Sequence, residues 1–128
     1  MTHFPQINPQ NRPVRIQLGN TTPALVKLDG GYRAKASLQT VSVTGGLLRL
    51  AKALSEGDFV EVAFQTESGP VHGMAEMLHA RRTLSQGVLQ PFRFVALEDD
   101  DHRTLRMAVD TTADRNFLGL KTPRWSTR

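Results

Sequence analysis

A short stretch of this sequence combines hydroxyl, glycine and arginine residues in a spacing that suits a small anionic ligand. It reads TVSVTGGLLRL, residues Thr40–Leu50, and its polar and apolar residues alternate up to Gly45 and Gly46. A short hydroxyl such as Ser42 can hydrogen-bond to a bound molecule, and glycine lets a backbone come close without a side-chain clash. Arg49 follows the glycine pair closely, although alternation could equally point it into solvent. The stretch predicts either an ordinary β-turn or a backbone that approaches a ligand.

Few residues are arranged for catalysis or metal binding. The chain has no cysteine, and its four histidines show neither a His-x-x-x-His nor an HExxH spacing. No G-x-S-x-G nucleophile motif is present. The acidic run Glu98–Asp101 fits the start of a helix better than a divalent-cation site, because acidic side chains stabilise a helix N-terminus. We therefore expect no enzyme, no catalytic residue, no metal site and no cofactor.

Composition points to a single globular domain with an anionic partner. The chain has 128 residues, of which 39% are hydrophobic and 22% charged, and its formal net charge is +4. No apolar run approaches the roughly 20 residues that cross a bilayer, and the first residues do not resemble a signal peptide, so we expect a cytoplasmic protein without membrane insertion. The positive charge favours nucleotides or nucleic acid as partners. Aromatic residues make up only 6%, which argues against a stacking platform for single-stranded nucleic acid.

Most of the chain alternates with the period of β-strands, and short turn signals separate the segments. An irregular arm is expected over residues 1–12, and a turn is expected at Gly19–Pro23. The pattern predicts six or more antiparallel strands joined by hairpin-sized turns, which is typical of a small barrel or a sandwich. The predicted strands cover 14–18, 24–28, 32–42, the segment after the glycine pair, 59–64, 71–84 and 88–97.

The pattern changes to helical spacing after the last predicted strand. Leu105 and Val109 repeat at the interval of a helix that starts in the acidic run. Gly119 and Pro123 predict that the remaining segment is a basic tail. The domain prediction is therefore an arm over 1–12, a β-domain with its helix over 13–112, and a tail over 113–128.

Taken in order, these features resemble the PilZ domain family. The T-x-S-x-x-G sequence from Thr40 to Gly45 is similar to the family's [Asp/Asn]-x-Ser-x-x-Gly motif, and a G-D-x-V-x-V-x-F strand follows at Gly57 to Phe64. The segment PFRFVALEDDDHRTLRMAV is similar to the family's closing strand and helix. The resemblance covers about residues 13 to 110. It implies a mainly β fold, a small six-stranded antiparallel β-barrel with a C-terminal α-helix.

The resemblance also implies a non-catalytic receptor for the bacterial second messenger cyclic di-GMP (c-di-GMP). The sequence departs from the family at two points: Arg12 and Arg15 have two residues between them where the family has Arg-x-x-x-Arg, and Thr40 replaces Asp or Asn. The residues expected to contact the ligand are Arg12, Arg15, Thr40, Ser42, Gly45, Gly46 and Arg49.

Two alternatives remain open. The first is a degenerate PilZ-like protein-interaction module that no longer binds c-di-GMP and serves motility, pilus or polysaccharide machinery. Its interface would use Phe117, Leu118 and Trp125, because aromatic and apolar anchors often dominate binding. The second is a small basic β-barrel that binds RNA, against which the shortage of aromatic residues argues.

Overall fold

The computed structural model describes residues 2–4, 16–82 and 87–121. A 3₁₀ turn at Asp29–Gly31 follows the second strand, and Gly30 and Gly31 have φ values of 85° and 89° there, as expected for a hairpin rich in glycine. The strands and the helix are β1 Thr2–His3, β2 Ile16–Lys27, β3 Arg33–Ser42, β4 Gly45–Leu50, β5 Phe59–Thr66, β6 Gly69–Met77, β7 Arg81–Arg82, β8 Val88–Glu98 and α1 Asp99–Lys121.

Six of these strands close into a barrel. The order is β2-β3-β4-β8-β6-β5, and β5 pairs with β2 again, so every one of the six has two antiparallel neighbours. Closure leaves no unpaired edge among these strands. The expected six-stranded antiparallel barrel with a C-terminal helix is confirmed, and the sandwich alternative is wrong.

The strands form because their apolar residues alternate towards one core. On β5, Val60, Val62 and Phe64 are buried between residues that are exposed or half-buried. Helix α1 adds Leu105 and Val109 to the same core cluster. Its first turn holds Asp99, Asp100 and Asp101, and their charge favours the helix N-terminus at this point.

Gln90 fixes the loop between β4 and β5 to the barrel. Its side chain is fully buried. Gln90 Nε2 donates to the carbonyl oxygens of Leu54 and Leu78, both within 2.9 Å, and Oε1 accepts from the Leu54 amide at 2.8 Å. A buried amide of this kind is stabilising only because every group it faces is paired.

Several predicted boundaries differ from the structure. The turn predicted at Gly19–Pro23 is wrong, because β2 runs through it to Lys27 in order to pair with both β3 and β5. Strand β6 ends at Met77 rather than Leu84. Helix α1 continues through Gly119 to Lys121, into the segment predicted as a tail, since a single glycine costs a helix only about 1 kcal/mol.

The N-terminal segment is not irregular throughout. Thr2 pairs with Glu98 and His3 with Leu97, which forms β1 along β8. Thr2 Oγ1 also donates to Glu98 Oε2 at 3.1 Å. The described N-terminal residues therefore lie along the C-terminal end of β8.

Candidate functional site

The glycine pair lies in strand β4 and not in the turn that precedes it. Val43 and Thr44 form the turn, and Ser42 pairs directly with Gly45. Neither Gly45 nor Gly46 has positive φ, so a turn does not require them. A Cβ atom at Gly45 would overlap the carbonyl oxygen of Phe92 on β8, and one at Gly46 would lie 2.5 Å from the Thr40 carbonyl oxygen. Both glycines are needed because the neighbouring strands pass so close.

Ser42 organises the turn itself. Its side chain is only 2% exposed. Ser42 Oγ accepts from the Thr44 amide at 3.2 Å, donates to the Gly45 carbonyl oxygen at 3.4 Å, and lies 3.2 Å from Thr44 Oγ1. The hydroxyl therefore holds β3 and β4 together at the motif, whatever else it contacts.

A β-bulge lies three residues before Ser42. Leu38 pairs with Leu48 and Thr40 with Leu47, so Gln39 is an extra residue in β3. Leu38 and Val41 are both buried in the core, and a regular strand would place one outward residue between two inward ones. Here two residues, Gln39 and Thr40, lie between them, and both side chains therefore belong to the outer face. Bulges of this kind re-aim side chains and are frequent beside binding sites.

Two side-chain atoms at the bulge lack a hydrogen-bond partner. Gln39 Nε2 and Thr40 Oγ1 are buried atoms without a hydrogen-bond partner, and within the described ranges they are the only such side-chain atoms. The β2 strand is irregular beside them: Gln17 pairs with Thr40 and Thr22 with Leu38, so four β2 residues face the single extra residue. Sequence reasoning selected Thr40 and missed Gln39. The available signal was the pair Gln39-Thr40, which interrupts the alternation of β3.

Arg49 lies on the same outer face, two pairs further from the turn than the pair of Thr40 with Leu47. It is exposed, and it pairs with Ser37 on β3 and Leu89 on β8. Together with Lys35 and Ser37 it lines an open cleft of about 570 Å³. Within residues 16–82 and 87–121, no acidic side chain forms an ion pair with Arg49 or Lys35. Arg93, which pairs with Gly45, is by contrast bound to Glu76, with Arg93 Nε 2.8 Å from Glu76 Oε1.

The predicted site residues therefore divide into two groups. Thr40, Ser42, Gly45, Gly46 and Arg49 come together on the β3–β4 hairpin. Arg12 and Arg15 lie outside the described residues. The described chain resumes at Ile16, whose backbone pairs with Val41 inside the motif.

The clearest electrostatic perturbation is elsewhere on the barrel. Glu61 on β5 accepts from His72 on β6, with Oε2 and Nε2 2.9 Å apart, and Lys27 Nζ lies 3.7 Å from its other oxygen. The hydrogen bond from His72 is the main reason that the pKa of Glu61 is lowered, and the charges of His72 and Lys27 add to it. His72 and Lys27 are both exposed, and we interpret this group as a surface ion pair and not as a second ligand site.

Metal-binding clusters and membrane-spanning helices are both absent from the described part of the chain. No group of three or more His, Asp or Glu residues is arranged to hold a metal ion there. None of the helical residues described forms a segment long and apolar enough to span a membrane.

Comparison with known proteins gives matches among solved structures. No family model matches the sequence, and no curated protein matches it. The PilZ domain of YcgR from Escherichia coli, solved with c-di-GMP, matches with a TM-score of 0.69 and 18% identity, over 89% of this chain and 99% of that chain. YcgR from the same organism in complex with c-di-GMP gives 0.73 and 18%, over 88% and 50%. The Bacillus subtilis inhibitor of motility MotI/DgrA gives 0.66 and 13%, over 85% and 52%.

This chain spans about half the length of the last two proteins. At these identities the similarity establishes the fold, and the barrel and helix expected from the sequence resemblance are confirmed.

Proposed function

We propose that this chain, which has the PilZ domain fold, is a c-di-GMP-binding effector domain without catalytic activity. The observation that carries the proposal is the match over 99% of a PilZ domain that was solved with c-di-GMP. The segment that resembles the family's ligand motif, Thr40 to Gly45, lies on one hairpin of the matching barrel.

The ligand's chemistry fits the outer face of this hairpin. A cyclic dinucleotide carries two phosphates and two guanines, so it needs cations, short donors and backbone that can come close. Arg49 and Lys35 supply two cations that form no ion pair within the described ranges. Gly45, which pairs with Ser42, adds no side chain to this face, and Thr40 lies on the same face.

Arg12 and Arg15 complete the proposed site. Arg15 directly precedes Ile16, whose backbone pairs with Val41 in the middle of the motif, and Arg12 lies three residues before Arg15. We expect their guanidinium groups to grip the phosphates or stack on the guanines. Binding can shift the chain towards a new conformation only if the ligand contacts that conformation better than the alternative. Contact of Arg12 and Arg15 with the ligand would provide such a difference and present a new surface to a partner.

The biological setting follows from the proposed ligand. We place the protein in the cytoplasm, where a second messenger acts, with a protein partner in motility, pilus or polysaccharide machinery. One of the matching structures is described as an inhibitor of motility, which supports this class of partner.

Chemical-shift mapping tests the binding site. Addition of c-di-GMP should move the backbone amide signals of residues 40–46 and of Arg49, and should leave those at the exposed turn Glu67–Ser68 in place. GMP, which has the same base and a single phosphate, should produce much smaller changes. Shifts confined to other parts of the barrel would contradict the proposal.

A specific surface favours the second candidate, a protein-interaction module. A further cleft of about 520 Å³ adjoins the first and shares Lys35 and Ser37 with it, and its lining includes Pro23, Leu25 and Ala63. Leu25 is 37% exposed. A partly exposed apolar side chain in such a cleft can be buried in the apolar core of a protein interface. The side chains first considered for this role, Phe117, Leu118 and Trp125, lie outside the described side chains.

Leu25→Ser, which removes the apolar side chain without adding a charge opposite Lys35, separates the two candidates. It should abolish capture of a purified partner and leave c-di-GMP titration unchanged if the protein contact is made at this cleft. Loss of both would indicate that the substitution disturbs the barrel, which circular dichroism would show.

A further inference from the structure

The first residues of strand β3 extend past the strand beside them. Closure gives every barrel strand two neighbours, but these neighbours differ in length. Strand β3 begins at Arg33, whereas its pairing with β4 ends at the pair of Ala36 with Leu50. On the other side, β3 stays paired with β2 as far as the pair of Arg33 with Lys27. Among the described residues, Arg33 to Lys35 therefore have a strand partner on one side only.

The hairpin between β2 and β3 fixes the direction of the backbone groups in this overhang. The Leu28 amide donates to the Tyr32 carbonyl oxygen at 2.7 Å. Hydrogen-bonded and non-hydrogen-bonded pairs alternate along an antiparallel ladder, so Ala34 also bonds to β2. The N–H and C=O groups of Arg33 and Lys35 consequently point the other way, to the side that β4 leaves open. A strand end with backbone groups directed outward is a template for a further strand.

The open side of the overhang is basic. The side chains of Arg33 and Lys35 are exposed, and neither forms an ion pair with any residue in the described ranges. Lys35 and Arg49 line the cleft of about 570 Å³, and none of the described residues that line it is acidic. Ala34, between the two exposed cations, is half-buried and packs against the core. An added strand would meet cations on the outer face and a small apolar residue on the inner face.

We infer that this end of β3 binds an extended acidic segment of a partner protein as an added β-strand. The segment lies where β4 would continue, and its backbone bonds to Arg33 and Lys35. Its acidic side chains lie opposite these two cations, since opposite charges on paired strands attract, and the residue between them is apolar and covers Ala34. Nucleic acid would also be attracted to the cations, but its phosphates cannot donate to the C=O groups of the strand. This inference goes beyond the c-di-GMP function and does not depend on it.

A synthetic peptide, acetyl-Gly-Glu-Val-Glu-Val-Glu-Gly-amide, is the probe for this site. NMR titration of the peptide into the chain should move the backbone amide signals of Arg33 and Lys35 most and leave that of Arg103 on α1 in place. The same peptide N-methylated at its three glutamates keeps its charge but loses the backbone donors that face β3. It should bind at least about tenfold more weakly, because more than one hydrogen bond is lost.

Two substitutions at Arg33 separate charge from backbone pairing. Arg33→Ala removes the cation and should weaken peptide binding about threefold, as expected for an exposed cross-strand pair. Arg33→Pro also removes the N–H on the open side and should weaken binding about tenfold or more. The barrel should accept the proline, because Tyr32 has φ and ψ of −70° and 146°, the extended conformation that a residue before proline prefers. Circular dichroism checks the fold of both variants.

Arg106→Ala is the matched charge control. Arg106 is an exposed arginine on α1 whose Nε lies 4.0 Å from an Asp110 oxygen. Its substitution lowers the net charge by the same amount as Arg33→Ala and should leave the peptide affinity unchanged. Equal weakening by Arg106→Ala and Arg33→Ala would show that the peptide responds to net charge alone, which would contradict a site at β3.

The remaining outcomes decide between strand addition and other contacts. Equal affinity of the N-methylated and unmodified peptides would refute backbone pairing. Absence of peptide binding, or signals that move elsewhere on the barrel, would refute the site. Tighter binding of oligo(dT) than of the peptide, at the same two residues, would assign the cations to nucleic acid. A c-di-GMP titration of the unsubstituted chain tests the receptor function separately, so either proposal can fail while the other stands.

Discussion

Gly45 and Phe92 lie on paired strands so close together that a Cβ atom at position 45 would overlap the Phe92 carbonyl oxygen. Gly45 is therefore required for the close pairing of β4 with β8, whether or not a ligand binds. The ligand site is built on a hairpin whose spacing the fold already requires, so the motif glycine alone is weak evidence for binding.

Gly45→Ala should destabilise the barrel by about 3 kcal/mol, because the new methyl group meets backbone that cannot move aside. Urea unfolding followed by circular dichroism measures this. Gly31→Ala is the control: Gly31 has a φ of 89° but nothing within 4 Å of a Cβ, so only backbone strain of about 1 to 2 kcal/mol applies. A Gly45→Ala cost no larger than that of Gly31→Ala would contradict the close approach.

Gln90→Leu should lower the free energy of unfolding by about 2 to 4 kcal/mol. The leucine fills the space, but it leaves the Leu54 amide and the carbonyl oxygens of Leu54 and Leu78 without their partner. Gln65→Leu, at an exposed position, should cost less than about 0.5 kcal/mol. Equal effects of the two substitutions would show that Gln90 does not anchor the loop.

The pKa of Glu61 should rise when His72 is replaced by alanine. Since folding lowers this pKa, the ionised carboxylate stabilises the fold above its unfolded-state pKa, and this contribution is lost as the pH falls through the folded-state pKa. NMR titration of the glutamate carboxyl carbons follows the group directly. Lys27→Ala should raise the pKa less, because His72 makes the stronger contact; a larger rise with Lys27→Ala would reverse that order.

Arg49→Ala should weaken c-di-GMP binding about tenfold or more, since a charged hydrogen bond to phosphate or guanine is lost. The loss should shrink at high salt, where the cation is screened. Arg103→Ala removes an exposed arginine on α1 that lies 3.7 Å from Asp100, and it should leave the affinity unchanged. Equal affinity of Arg49→Ala and the unsubstituted chain would remove Arg49 from the site.

The alternating segments and glycine turns were enough to predict an antiparallel β-domain, and the resemblance to the PilZ family favoured the barrel over the sandwich. It was insufficient where strands are irregular. The run GNTTP has every sign of a turn, yet β2 continues through it, because pairing with two neighbours outweighs local turn preference. The bulge at Gln39 left one trace in the sequence, the consecutive polar residues Gln39 and Thr40 that interrupt the alternation of β3, but the register with β4 was needed to identify it.

The candidate site was predicted in part. The spacing of Thr40, Ser42 and Gly45 located the hairpin, and the positions of these residues relative to Arg49 follow from its register. The true role of the glycine pair depended on Phe92, nearly fifty residues later in the chain. The residues next to Gly45 and Gly46 in the sequence give no sign of a contact with a residue so distant along the chain.

Calorimetric titration of c-di-GMP into the chain tests the central claim most directly. The receptor function predicts a dissociation constant in the micromolar range or tighter, lost in Arg12→Ala and in Ser42→Ala, with both variants checked for folding by circular dichroism. No heat of binding and no change in chemical shifts at high ligand concentration would contradict it.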